Sequence, residues 1–154
     1  MTEPVEVPWG DFESAAPEIA KAGRRLLEDA PEVAGVAFLA TVGADARPRL
    51  HPFIPAVIDG RLWAFVVVSP KQRDLERDGW YAIHSRLGTD DESFFVAGWA
   101  FRADDDRTRS LVGRNMPYGG IDDRHVLYEF RIDRAVWTTW TTPTSPVHHH
   151  WRYS

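Results

Sequence analysis

The chain has 154 residues, 44% hydrophobic and 27% charged, with a formal net charge of −5 and no cysteine. That length supports one domain with a real core and excludes two comfortable ones. The charge argues against a nonspecific binder of nucleic acid, and the missing cysteines exclude disulfides, thiolate nucleophiles and Cys-based metal sites. No apolar run approaches membrane-spanning length, and the N-terminal MTEPVEVPWGDFE lacks the basic region of a signal peptide. A cytoplasmic protein with no membrane partner is the expectation.

Residues 11–29 read as a helix. Asp11 or Ser14 can cap it, and Phe12, Ile19, Ala22, Leu26 and Leu27 fall near one face. Pro17 suits a first turn, so the well-formed part is expected to start near Ser14 or Ala16, and Pro31 closes it. The texture then changes to strands. Residues 35–43 (GVAFLATVG) form an apolar run, followed by the turn ADAR. Residues 48–58 (PRLHPFIPAVI) alternate, with Arg49, His51 and Phe53 on one face and Leu50 and Ile54 on the other. Pro48, Pro52 and Pro55 predict an interrupted or edge strand. Asp59–Gly60 is a hairpin turn into the strand 61–68.

SPKQRDLERD (69–78) resembles a short helix with Ser69 at the N-cap and Pro70 at its first position. Strands are expected at 79–85 and 93–103, the second with Gly98 inside it. A capped helix follows over 104–115, then one or two strands over 125–140. The fold class is therefore mainly β: about six short strands in an antiparallel barrel with peripheral helices. The expected layout is one domain, with an N-terminal helix over about 11–29, a barrel over about 35–140 and a tail over 141–154. No GxGxxG or GxxxxGK[ST] follows a strand, which disfavours a parallel nucleotide-binding sheet.

Only two of the 18 basic residues are lysines, and one of them, Lys71, lies two residues after Ser69. A helix beginning at Ser69–Pro70 offers orphan N–H groups and the positive end of its dipole, which suits an anion. Ser69 adds a hydroxyl, Lys71 an ammonium and Arg73 a further charge. The alternative is that Ser69 merely caps and Lys71 is solvated. Arg49, His51 and Phe53 give the preceding hairpin a mixed polar and aromatic face, although a lone His51 is also compatible with a satisfied structural histidine. The seven tryptophans are accounted for by core filling or by an aromatic wall for a flat ligand.

Other clusters carry less. His148–His150 are adjacent, so the three cannot all point one way, and a tail that packs through Trp151 or stays mobile is the simpler reading. The runs at 90–92 and 104–106 lack calcium-loop spacing and read as a solvated loop and a helix cap. No metal site is assigned, and no nucleophile or acid/base pair can be nominated.

The ordered set Ala40–Thr41, Ala44 to Pro48, Pro48 to Pro52, Asp59–Gly60, Ser69 to Leu75 and Trp80 to His84 resembles the pyridoxamine 5′-phosphate oxidase-like flavin-binding split barrel. The resemblance covers roughly residues 9–103. It implies a homodimer with flavin at the subunit interface. It implies phosphate binding by Ser69 and Lys71, with His51 and Phe53 beside the phosphate and ring and Phe65 closing the strand; Arg49 is included because it shares their face. The classical oxidase has arginines where Pro70 and His51 stand, and its C-terminal substrate-binding segment is not recognisable here. The expected function is a flavin-dependent oxidoreductase acting on a small organic substrate, with FMN as cofactor. The alternatives are the deazaflavin coenzyme F-420, a non-enzymatic flavin or haem binder using His51, His84 or the terminal histidines, and a degenerate member without cofactor.

Overall fold

The computed structural model describes residues 5–28 and 36–154. Among these residues four α-helices flank an eight-stranded sheet. They are α1 (Trp9–Ala15), α2 (Pro17–Glu28), α3 (Pro70–Arg77) and α4 (Asp106–Asn115). The strands are β1 (Ala37–Val42), β2 (Pro48–Phe53), β3 (Ala56–Ile58), β4 (Arg61–Val67), β5 (Trp80–His84), β6 (Ser93–Ala103), β7 (His125–Thr142) and β8 (Ser145–Arg152). All pairings are antiparallel, in the order β2-β1-β5-β6-β7-β4-β3. The first half of β7 pairs with β4 and its second half with β8.

The N-terminal helix expected over 11–29 is two helices. Pro17 lacks an N–H and disfavours the α region for the residue before it. Ala16 accordingly sits at φ −139°, ψ 66°, and α2 starts at Pro17 itself. Asp11 and Ser14 cap nothing, because Pro8 holds the N-cap position of α1. Pro31 lies outside the described residues, as does residue 35 of the expected first strand. The expected six strands become eight for two reasons. A break at Ile54–Pro55 divides 48–58 into β2, which contains Pro52, and β3, and the tail is no loose segment: β8 pairs with β7 through a turn near Thr142–Ser145. The Asp59–Gly60 turn is as expected, with both residues at positive φ (54° and 72°) as a two-residue hairpin requires.

Two cores follow from the period-2 alternation of strands. Leu62, Ala64 and Val66 of β4 and Val126, Tyr128, Phe130 and Ile132 of β7 point into the barrel, where Leu39, Ile83, Phe94 and Val96 join them. Trp9, Phe12 and Leu27 of α1 and α2 pack onto this core. A Cβ on Gly23 of α2 would lie 2.5 Å from the Phe94 ring, so the helix touches the barrel directly there. The opposite face of β4 and β7 carries Trp63, Phe65 and Leu127, which Val112 of α4 and Met116 just after it cover. None of the described helices is long and apolar enough to cross a membrane.

Candidate functional site

α3 starts where the sequence places it. Ser69 is the N-cap and Pro70 the first helical residue. The cap is weak: Ser69 Oγ accepts from Gln72 N at 3.5 Å, while its own proton goes to the Val67 carbonyl at 2.7 Å. Lys71 is half-buried in the first turn. It has no hydrogen bond or ion pair among the described residues, and its charge acts on His51.

One turn further along α3 lies a feature that the sequence reading missed. Asp74 faces the barrel end and its side chain is only 2% exposed. Its carboxylate accepts from Thr41 Oγ1 at 2.8 Å, Arg49 Nε at 2.8 Å and Arg77 at 3.1 Å. Burial alone would raise its pKa, but the hydrogen bonds from Thr41, Arg77 and Arg49 outweigh it and hold the carboxyl below its ordinary range. Arg77 also donates to the Val42 carbonyl, tying α3 to the end of β1. The available signal was weak: an Asp–Arg pair at i, i+3 on a short helix is common and usually solvent-exposed.

His51 lies half-buried on β2, with Nε2 at 3.5 Å from Thr41 Oγ1. Burial, then the charge of Lys71, holds its pKa below the ordinary imidazole value despite Asp74 nearby. At neutral pH it is therefore mainly uncharged. Arg49 shares the strand face with His51, but its guanidinium is committed to Asp74. The uncommitted cations of α3 are Lys71 and the exposed Arg73, neither of which forms an ion pair among the described residues.

The two aromatic candidates part company. Phe53 is in the inner core, edge-on to Phe130 with ring centroids 5.8 Å apart. Phe65 is in the outer core beneath α4, with the Arg109 guanidinium 5.2 Å from its ring centroid. They occupy opposite faces of the sheet in this chain. Ser69, Lys71, His51 and Arg49 thus gather at one end of the barrel, whereas Phe53 and Phe65 are buried in the inner and outer cores.

The histidines weighed as haem ligands are dispersed. His84 is exposed and its Nδ1 donates to the Ser85 carbonyl at 2.7 Å. His148 lies 2.9 Å from Thr138 Oγ1, and His149 stacks on Trp137. Strand alternation puts His148 and His150 on one face, with ring centroids 6.0 Å apart, and His149 on the other. Among the described residues no group of three or more His, Asp or Glu side chains could hold a metal ion.

A cavity of about 580 Å³ opens on the outer face of β1, β5, β6 and β7. Its lining includes Ala82, Trp80, Asp133, Arg134, Arg152 and Tyr153, of which the sequence pointed only to Trp80, as one of the tryptophans that could wall a flat ligand.

No protein-family model matches the chain, and no curated protein matches it by sequence. Solved structures do match in shape. A protein from Clostridium acetobutylicum related to general stress protein 26 of B. subtilis, of the pyridoxinephosphate oxidase family, aligns with a TM-score of 0.60 at 11% identity. That alignment covers 93% of this chain and 95% of the other. PhzG from Burkholderia lata 383, solved with tetrahydrophenazine-1-carboxylic acid, gives 0.58 at 13% identity over 94% and 93%. A haem-binding protein from Mycobacterium smegmatis gives 0.63 at 15% identity over 87% of this chain, which spans only 57% of that protein. Identities this low speak to architecture alone, and on that point the alignments agree: the chain has the split-barrel fold of the pyridoxinephosphate oxidase family.

Proposed function

We propose that the chain binds a phosphate-bearing flavin, FMN in the first instance, with the phosphate at the start of α3, and that it serves as an oxidoreductase for a small organic substrate. The observation that carries this reading is Lys71: an ammonium without a counter-ion among the described residues, in the first turn of a helix whose dipole also favours an anion. Neutral His51 beside it supplies a further hydrogen-bonding group without adding charge. Flavin, when bound, supplies hydride and electron transfer. The chain's part is to hold the phosphate with Lys71, to orient His51 through Thr41, and to keep Asp74 neutralised by Arg49 and Arg77 so that its charge does not oppose the phosphate.

A homodimer belongs to the same proposal. Phe38 on β1 and Leu50 on the edge strand β2 are 38% and 69% exposed, and a second copy docked along that edge would cover them without closing the cavity over β5, β6 and β7. One structural neighbour is a haem-binding protein, so haem is the second reading; coenzyme F-420 is a variant of the first. The absence of a third positive group where Pro70 and His51 stand predicts modest phosphate affinity.

The test is titration with FMN, with the deazaflavin and with hemin, followed by absorbance, for the wild type and Lys71→Ala. A charge-assisted hydrogen bond contributes about 1.5–3 kcal/mol, so Lys71→Ala is expected to weaken FMN at least about tenfold. FMN binding that ignores the substitution would refute the phosphate placement. A Soret band with no flavin binding would establish the haem reading instead.

A further inference from the structure

We propose that the cavity on the outer sheet face is a binding site for a planar aromatic monocarboxylate. Its floor follows from the strand register. Ala40 of β1 pairs with Ala82 of β5, and Ala82 pairs with Ala97 of β6. Ala97 pairs with Arg134 of β7, and Arg134 with Arg152 of β8. One line across five strands therefore reads Ala-Ala-Ala-Arg-Arg. All five residues except Arg152 lie on the central ladder, and all five line the cavity.

Three methyl side chains in a row leave a shallow trough. Strands are spaced about 4.8 Å apart, so the trough is about 10 Å long, the length of two fused six-membered rings. Trp80, 44% exposed and edge-on to Trp99, forms one wall, and Tyr153 stands by the arginines. The volume of about 580 Å³ is within the range of small-ligand pockets, about 300–1,000 Å³.

The charged end determines what the trough holds. Arg134 and Arg152 are directly opposite each other on antiparallel strands, where like charges destabilise a sheet. Neither forms an ion pair or hydrogen bond among the described residues, although the Arg134 guanidinium lies over the Phe95 ring at 5.5 Å from its centroid. Asp133 lines the same cavity. Its Oδ1 is buried without a hydrogen-bond partner among the described residues, and burial raises its pKa while Arg134 and Arg152 lower it. With Asp133 ionised, the three groups sum to one positive charge. That matches a carboxylate better than a doubly charged phosphate, and a guanidinium fork fits a carboxylate in two parallel hydrogen bonds. An aromatic ring on the alanines and a carboxylate between the arginines would relieve the repulsion that the free protein carries.

The probe is 2-naphthoate, titrated calorimetrically into the intact chain, with 2-naphthamide and cyclohexanecarboxylate as controls for charge and planarity. The expected result is saturable 2-naphthoate binding, with both controls at least tenfold weaker. Arg152→Gln should weaken it at least tenfold while leaving the ligand-free Tm unchanged or raised, since a repulsive pair is removed. Ala82→Leu should abolish binding by filling the trough, and Lys71→Ala should bind as the wild type, which separates this site from the flavin phosphate site. Failure of 2-naphthoate to bind at millimolar concentration, equal affinity for the amide, or wild-type affinity in Arg152→Gln would each overturn the proposal. So would a lowered ligand-free Tm in Arg152→Gln, which would make the pair a structural element.

Discussion

Replacing Asp74 with asparagine tests the electrostatics of the barrel end. The substitution keeps the shape of the side chain but removes the charge that receives Thr41, Arg49 and Arg77. Loss of one partner from a fully buried ion pair costs about 3–5 kcal/mol. Both arginines here are 42% exposed and recover part of their hydration, so the expected loss is smaller, about 2–3 kcal/mol. For a chain of this length each kcal/mol shifts Tm by about 2–4 °C, so a drop of about 4–12 °C is expected in thermal unfolding at pH 7. The pH dependence has a definite sign. A carboxyl whose pKa is lowered in the folded state stabilises above its unfolded pKa, about 3.9, and loses that contribution as pH falls through the lower folded value. The gap between wild type and Asp74→Asn should therefore be full at pH 6–7 and close as pH falls through the lowered folded value. A gap under about 2 °C at pH 7, or one that persists unchanged at low pH, would show that Asp74 is not the ionised centre of this cluster.

Three further substitutions probe the frame around the sites. Gly98→Ala would drive a Cβ into the Arg131 carbonyl oxygen, a backbone atom held in the β6–β7 ladder. A loss of about 3 kcal/mol in denaturant unfolding is expected. Gly60→Ala, which meets no atom within 4 Å but must adopt positive φ, should cost about 1–2 kcal/mol. Glu92→Gln weakens the link that holds α2 to the sheet, since Glu92 accepts from both ends of the Arg25 guanidinium, at 2.7 and 2.8 Å, and from Trp137 Nε1 at 2.9 Å. The expected loss is about 1–2 kcal/mol, discounted for the exposure of Arg25. The hydrogen bonds from Arg25 lower the Glu92 pKa, so this difference too should be present above about pH 4.3 and vanish in more acid solution.

Local signals carried much of the fold. The Asp59–Gly60 hairpin, the Ser69–Pro70 helix start and the Asp105 cap of α4, whose carboxylate accepts from Thr108 N at 2.8 Å, are each fixed by residues within four positions of one another. What depends on distant partners was not legible. β8 is polar and looked like a tail, and it is a strand because β7 extends to Thr142 and offers it an edge. At the candidate site, Arg49, His51 and Phe53 do share a strand parity. Parity could not show that the barrel end lies at Arg49 and His51 while Phe53 has already entered the core. The ion pair between Arg49 and Asp74 spans 25 positions, and only the docking of α3 against β1 creates it.

The irregularity at Gly98 connects the fold to the outer cavity. Along β7 the inward residues are Val126, Tyr128, Phe130 and Ile132, all even-numbered, and then Ala135, which is odd. The ladder accounts for this change of phase: Gly98 pairs with Ile132 and Ala97 with Arg134, so Asp133 is an extra residue on β7. Continued strict alternation would turn Arg134 into a core whose neighbours are Phe94, Val96 and Ile132, at a cost of several kcal/mol for an unpaired buried charge. The bulge instead buries Ala135, sets Arg134 outward in line with Ala97, and leaves Asp133 beside it. Gly98 is what permits the close approach of the Arg131 carbonyl that the bulge needs. A glycine inside a strand therefore does more here than break a pattern, since the same bulge that keeps the barrel core apolar also assembles the charged end of the trough.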